Sequence, residues 1–194
     1  MPQKEGRPVV SQRIADIWRP DTPRNVVLLD NDFFGQPADA WQARVEELNA
    51  GGFRVNFSQG VNLRLMTPET AQALGSVAYA NSRFNRRRLY TAWDNLGQET
   101  IFFRGLNLLA EAGIPPSHVM VYMLVGYRPG ETIDEVLYRF QRLRESGCLA
   151  YPMVYEDDGP KPVLKHFQRW VIRRYYQFVD WNDYRKAGVI DHAH

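Results

Sequence analysis

Short apolar runs alternate along this chain with longer segments in which apolar residues recur at helical spacing. NVVLLD (25–30) is the first run, and its β-branched residues and its stop at a polar cluster predict a buried parallel strand. Segment 37–50 then places Ala40, Trp41, Val45 and Leu48 on one helical face, with Pro37 at its start and Gly51-Gly52 as its stop. The pattern recurs. FRVNFSQ (53–59) predicts a strand, and Thr67, Pro68 and Glu69 open a helix through about residue 74 by cap, proline and early acid. RRLYTAWD (87–94) predicts the next strand and 99–112 the next helix. HVMVYMLVGY (118–127) is the most apolar strand, 132–146 a helix ended by Gly147, and CLAYPMVY (148–155) the last strand. A Pro/Gly/Asp loop (156–162) leads to a final helix from about Val163.

Five strands alternating with helices at a spacing of roughly 30 residues predict an α/β fold with a parallel sheet and right-handed crossovers. A closed eight-unit barrel typically needs ~250 residues. With 194 residues, a partial barrel or an open sheet is expected.

Ligands in parallel α/β folds sit at the carboxyl ends of the strands. Every predicted strand here ends in polar residues: Asp30-Asn31-Asp32, Ser58-Gln59-Gly60 with Asn62 and Arg64, Trp93-Asp94-Asn95, Gly126-Tyr127, and Tyr155-Glu156-Asp157-Asp158. Such residues are also ordinary turn formers and caps. Taken together on one rim, they suit an amino-acid-like or ribose-bearing ligand.

Composition narrows the chemistry. The chain is 44% hydrophobic and 13% aromatic, enough for a sizeable core. Its 24 Lys+Arg against 22 Asp+Glu leave a formal charge of +2, so global charge gives no argument for a nucleic-acid or membrane partner. No apolar window approaches the roughly 18 residues of a membrane span, and a cytoplasmic protein is expected. The four histidines fit no HExxH spacing, and no phosphate-binding GxxxxGK[ST] occurs. Cys148 is the only cysteine, which excludes an internal disulfide and any site needing several thiolates from this chain.

The stretches DNDFF, SQGVNLRLMTPE, YTAWDN, VYMLVGYRPGETIDEVLYRFQRLRESG and YPMVY, in that order, closely resemble the radical S-adenosylmethionine (radical SAM) proteins, particularly their bacterial and phage-associated branch. The resemblance runs from about residue 2 to 175. It implies a partial (β/α)6 TIM-like barrel over residues 1–180, with a polar tail at 181–194, that binds S-adenosylmethionine at the carboxyl rim. In that family a CxxxCxxC loop after the first strand holds a [4Fe–4S] cluster, which cleaves S-adenosylmethionine to a 5′-deoxyadenosyl radical. Carried over by motif, Asp30, Asn31 and Asp32 fall where the family receives the amino group of S-adenosylmethionine. Gln59, Asn62 and Arg64 fall at its carboxylate, and a guanidinium suits that role by bidentate pairing. Asp94 and Asn95 fall at the ribose, and Val125, Gly126, Pro152 and Met153 at the adenine.

The opening MPQKEG resembles the turn that follows the third cluster cysteine in that branch, so the first βα unit and its three cysteines are expected to be missing. A fragment, a split enzyme completed by another chain, and a degenerate homologue that binds without catalysing are the three explanations, and the chain alone is expected to be catalytically incompetent. Cys148, at the amino end of its strand, cannot substitute. Strand 25–30 is then an apolar edge, expected to be covered by a homo-oligomer, a second chain, or segment 7–18 with Val9, Val10, Ile14, Ile17 and Trp18. The rival class is a non-catalytic nucleic-acid or protein binding module. Residues 85–88 (NRRR), and the helix 163–179 with Lys165, Arg169, Arg173 and Arg174 beside Trp170, Tyr175 and Tyr176, mix cations with aromatics. Against that reading, Phe167, Trp170, Val171, Tyr175 and Phe178 follow the spacing of a core-facing stripe with the basic residues on the solvated side.

Overall fold

A computed structural model describes residues 13–156 and 159–190. The MPQKEG turn, Val9, Val10, the pair Asp157-Asp158 and the terminal histidines therefore lie outside the described residues. The chain divides into two compact units, one formed by 13–90 with 103–115, the other by 91–102 with 116–190.

In the first unit the elements run α1 (Ile14–Ile17), β1 (Asn25–Leu28), α2 (Ala38–Ala50), β2 (Arg54–Phe57), α3 (Pro68–Ser76) and β3 (Ala78–Tyr79). The sheet has the order β1-β2-β3 and is parallel, with Val26 opposite Val55 and Val55 opposite Tyr79. Helix α2 buries Trp41, Val45 and Leu48, the stripe expected from its spacing, and β2 buries Val55 and Phe57. Helix α3 is opened by a capping box in which Thr67 and Thr70 bond reciprocally, with Pro68 in the first turn. Strand β1 is less buried than its apolar run predicts and lies where an edge was expected: it is paired only with β2 among the described residues, Val27 is 47% exposed, and Leu29, just past the strand, is 73% exposed. Strand β3 was not expected from the sequence. Its two residues are extended by tertiary bonds: Ala80 N–H donates to the Val55 carbonyl at 2.7 Å, and the buried Asn56 amide donates to the Ala80 carbonyl at 2.9 Å.

The described part of segment 7–18 docks on α2. Ile14 is buried, Ala15 N–H donates to Glu47 Oε1 at 2.7 Å, and Trp18 meets Phe53 edge-on. Residues 103–111 of helix α4 (Glu99–Glu111) also belong to this unit, and Leu106 and Leu109 are buried. Gly105 permits that approach, because a Cβ there would stand 2.2 Å from the Leu63 carbonyl oxygen.

The second unit takes the end of β4 (Leu89–Ala92), then β5 (Val119–Val125), α5 (Ile133–Glu145), β6 (Leu149–Val154), α6 (Pro162–Ile172) and α7 (Trp181–Ile190), with sheet order β4-β5-β6. Strand β5 alternates strictly: Val119, Val121, Met123 and Val125 are buried, and the residues between them half-buried. Strand β6 runs parallel to it, Tyr122 opposite Tyr151 and Met123 opposite Pro152. Helix α5 contributes Val136, Phe140 and Leu143 to the core, and α6 contributes Phe167, Trp170 and Val171.

The expectation of parallel strands in an α/β chain holds, and the strands fall into two sheets rather than one continuous sheet. Two three-stranded parallel sheets are present, and no closed barrel is found among the described residues. The predicted helix 163–179 also ends early, at Ile172, because Arg174 adopts a left-handed conformation (φ 58°) and the chain turns. Phe167, Trp170 and Val171 lie in the core as expected, whereas Tyr175 and Phe178 swing out, Phe178 to 85% exposure. Residues 181–194, expected as a polar tail, begin with α7, whose Trp181 is buried against Phe167 and Trp170. No helix among the described residues is long and apolar enough to cross a membrane.

Candidate functional site

The carboxyl end of β5 is where the second unit concentrates its polar chemistry. Strand β5 ends at Val125, and Gly126 (φ 78°) and Gly130 (φ 75°) fold the following loop in a conformation that favours glycine. Glu131 closes that loop by accepting the Gly126 N–H at 2.5 Å through Oε2. Its other oxygen, Oε1, accepts from Arg139 at 2.6 Å, and both side chains are almost fully buried. Arg139 projects from the core stripe of α5 and also donates to the carbonyls of Trp93 and Leu124, each at 3.0 Å. One guanidinium thus ties the ends of β4 and β5 to the loop. Burial pushes its pKa down, and the neighbouring Glu131 and Asp94 carboxylates oppose that by favouring the charged form.

Beside this loop lies a cavity of about 410 Å³, lined by Gly126, Tyr127, Arg128 and Glu131 on one side and Lys161, Val163 and Leu164 on the other. That volume falls in the range of small-molecule pockets. Lys161 donates from Nζ to the Gly126 carbonyl at 2.5 Å and lies over the Tyr155 ring at 5.4 Å. Tyr155 meets Tyr127 edge-on at 5.1 Å, and Tyr127 is largely exposed. A Cβ on Gly126 would press on the ends of the Leu164 and Lys161 side chains, which can yield, so the demand for glycine here comes from its φ of 78°. The lining offers the Tyr127 ring, the Lys161 ammonium, the Arg128 guanidinium, itself paired with Glu135, and a backbone turn, a set suited to binding a planar or anionic group.

The expected site residues fare unevenly. In the second unit Val125 and Gly126 lead into the cavity, with Val125 itself fully buried. Asp94 Oδ1 accepts the Leu124 N–H at 2.7 Å and so prolongs the β4–β5 pairing. Asn95 Oδ1 accepts the Gly97 N–H at 2.8 Å, a turn cap. Pro152 is buried, and its carbonyl accepts from Gln168 at 2.9 Å, while Met153 is exposed. In the first unit Asp30 Oδ1 accepts from Gln36 at 2.8 Å, and Asn62 Oδ1 accepts from Arg64 Nε at 3.2 Å. Asn31, Gln59 and Arg64 are exposed and Asp32 is half-buried, and Gly60 (φ 83°) turns the chain between Gln59 and Asn62.

Sequence reading missed Glu131, Arg139 and Lys161. One signal was present: Arg139 stands in the stripe Val136, Arg139, Phe140, Leu143, a cation at a position whose spacing demands burial. Lys161, between two prolines, carried none.

No protein-family model, curated protein or solved structure matches this chain. The geometry therefore stands on its own.

The [4Fe–4S] cluster that the radical SAM resemblance implies does not fit the donors of this chain. Its one cysteine, Cys148, is buried just before β6, at the strand's amino end, and burial pushes the thiol pKa up. Among the described residues no group of three or more His, Cys, Asp or Glu is placed to hold a metal ion. No radical step is assigned to these residues.

The basic-aromatic C-terminal helix reads differently in detail. Lys165 pairs with Glu156 at 2.6 Å, Arg169 lies on the exposed side of α6, away from the buried Phe167 and Trp170, and Arg173, also exposed, caps the helix end.

Proposed function

We propose that this chain is a radical SAM-type partial (β/α)6 barrel whose own residues bind the adenosyl part of S-adenosylmethionine without cleaving it. The observation that carries this reading is the cavity at the end of β5, at the turn made by Gly126 and walled by Tyr127 and Lys161. It lies at the carboxyl end of a parallel sheet, where such ligands bind, and within the stretch VYMLVGYRPGE that carries the family resemblance. The exposed Tyr127 ring offers a purine a stacking face, and the buried Glu131–Arg139 pair fixes the loop in advance of binding.

Equilibrium dialysis with labelled S-adenosylmethionine tests the proposal. The wild-type chain should bind, and Tyr127→Ala should weaken binding by about 10-fold, the loss of one stacking contact of about 1–3 kcal/mol. No binding at about 1 mM ligand, where even a −4 kcal/mol interaction half-fills the site, would overturn it.

The same reading gives the exposed edge strand β1 a partner. Val27, Leu29 just past the strand, and the edge that is unpaired among the described residues are proposed to be covered in solution by the same edge of a second copy.

A further inference from the structure

Between β3 and β4 the first unit carries a loop, 81–88, of sequence NSRFNRRR. Its four arginines, Arg83, Arg86, Arg87 and Arg88, stand in a stretch with no acidic residue at all between Thr70 and Trp93, although the chain as a whole is close to neutral. Elsewhere the arginines Arg44, Arg128, Arg139 and Arg142 are paired with carboxylates; among the described residues no ion pair involves Arg83, Arg86 or Arg87. All three are exposed.

The loop is also rigidly built. Asn81 is bonded at both ends of its amide, accepting the Asn85 N–H at 3.1 Å and donating to Asn85 Oδ1 at 2.8 Å. Asn81 N–H donates to the Arg86 carbonyl at 3.0 Å, Phe84 N–H donates to the Asn81 carbonyl at 2.9 Å, and Phe84 is held in a left-handed conformation (φ 54°). A bulky residue is strained there, and the asparagine network holds the turn in place. Arg87 lies over the ring of the buried Tyr79 at 5.2 Å, so its guanidinium plane is set by the core. Arg83, Arg86 and Arg87 are thus brought together on a fixed backbone with no ion pair to a carboxylate among the described residues, an arrangement that is unfavourable until an anion with several charges arrives.

We propose that loop 81–88 docks the phosphodiester backbone of a nucleic-acid strand. Guanidinium groups pair with phosphate oxygens in bidentate fashion. Spaced phosphates on one strand supply several anionic groups at once, and fixing the loop beforehand lowers the entropy lost on binding. The surface is independent of the cavity at the end of β5, and this proposal does not rest on the S-adenosylmethionine reading.

Fluorescence anisotropy of the full chain with labelled single-stranded 15-nucleotide oligouridylate and oligothymidylate, across a salt series, tests it. Three phosphate contacts on a single strand predict a log–log salt slope of about −2, so raising salt fourfold should weaken binding about 20-fold. Arg83→Gln/Arg86→Gln leaves the Arg87–Tyr79 contact intact and should cut that slope by about 1.4, with melting temperature unchanged. Equal binding of both oligomers assigns recognition to the phosphates, and preference for oligouridylate assigns it to RNA through the 2′-hydroxyl. The proposal is overturned by absence of binding at low salt, by a slope that the double variant leaves unchanged, or by a polyglutamate peptide of equal charge that competes as well as the oligonucleotides.

Discussion

Replacing Glu131 by glutamine removes one negative charge from a site where almost no water can compensate. Glu131 and Arg139 are 5% and 1% exposed, and their atoms approach to 2.6 Å. With charge centres about 4 Å apart and an effective dielectric constant of about 20, the lost attraction is about 4 kcal/mol. Glutamine also presents an N–H₂ group where the carboxylate accepted from both Gly126 N–H and Arg139, so one donor faces another donor. The retained bonds from Arg139 to the Trp93 and Leu124 carbonyls keep the guanidinium in place, still charged and short of a counter-ion. The expected loss is about 3–5 kcal/mol, the range found when one partner of a buried pair is removed. For a chain of this size that corresponds to a fall of about 10 °C in melting temperature. Urea unfolding followed by far-ultraviolet circular dichroism measures it, with Glu145→Gln in an exposed pair as the control that should change little. If Glu131→Gln stayed within about 1 kcal/mol of wild type, the Arg139 cluster would not be the clamp on the β5 loop described above.

Two further outcomes follow from other elements. Burial raises the Glu47 pKa, but the Ala15 and Ile14 N–H groups and Arg44 outweigh it and hold the carboxyl below its ordinary value of 4.5. A depressed pKa in the folded state contributes stability that is fully present above pH 4.5 and fades as pH falls through the folded value. Glu47→Gln should therefore lower the urea midpoint at pH 7 and flatten its decline on the acid side of pH 4.5; an unchanged acid limb would show that the α1–α2 contact does not depend on this charge. Sedimentation velocity should find the wild-type chain as a dimer, and Val27→Lys/Leu29→Lys should yield a folded monomer; a wild-type monomer would remove the proposed pairing at β1.

The elements were legible wherever one periodicity persisted. Helix α2 shows Trp41, Val45 and Leu48 on one face, and β5 keeps an unbroken apolar alternation, so burial and spacing agreed. Strand β3 was not legible, because two residues carry no period and owe their conformation to Asn56 and Val55. Nor was the separation into two sheets, since strand pairing is a tertiary choice that a strand's own pattern leaves open. At the candidate site, the sequence pointed to the strand end where Gly126 borders the cavity, and to polar rims in general. It could not tell that Asp94 and Asn95 spend their side-chain oxygens on Leu124 and Gly97 backbone groups, because an Asx residue that binds a ligand and one that caps a turn have the same spelling. Arg139 was the opposite case, visible in the sequence as a charge within an apolar stripe and understood only once Glu131 was found beside it.

Pro152 gives the β6 edge a property that β1 lacks. Its carbonyl is taken by Gln168 rather than by β5, so the residue faces outward, and the ring leaves no N–H for an incoming strand to use. A strand that tried to add there would meet a gap in the ladder, while one adding at β1 would not. Between these two edges, accretion of copies is then one-sided: β1 offers an added strand an uninterrupted ladder, and β6 breaks it at Pro152.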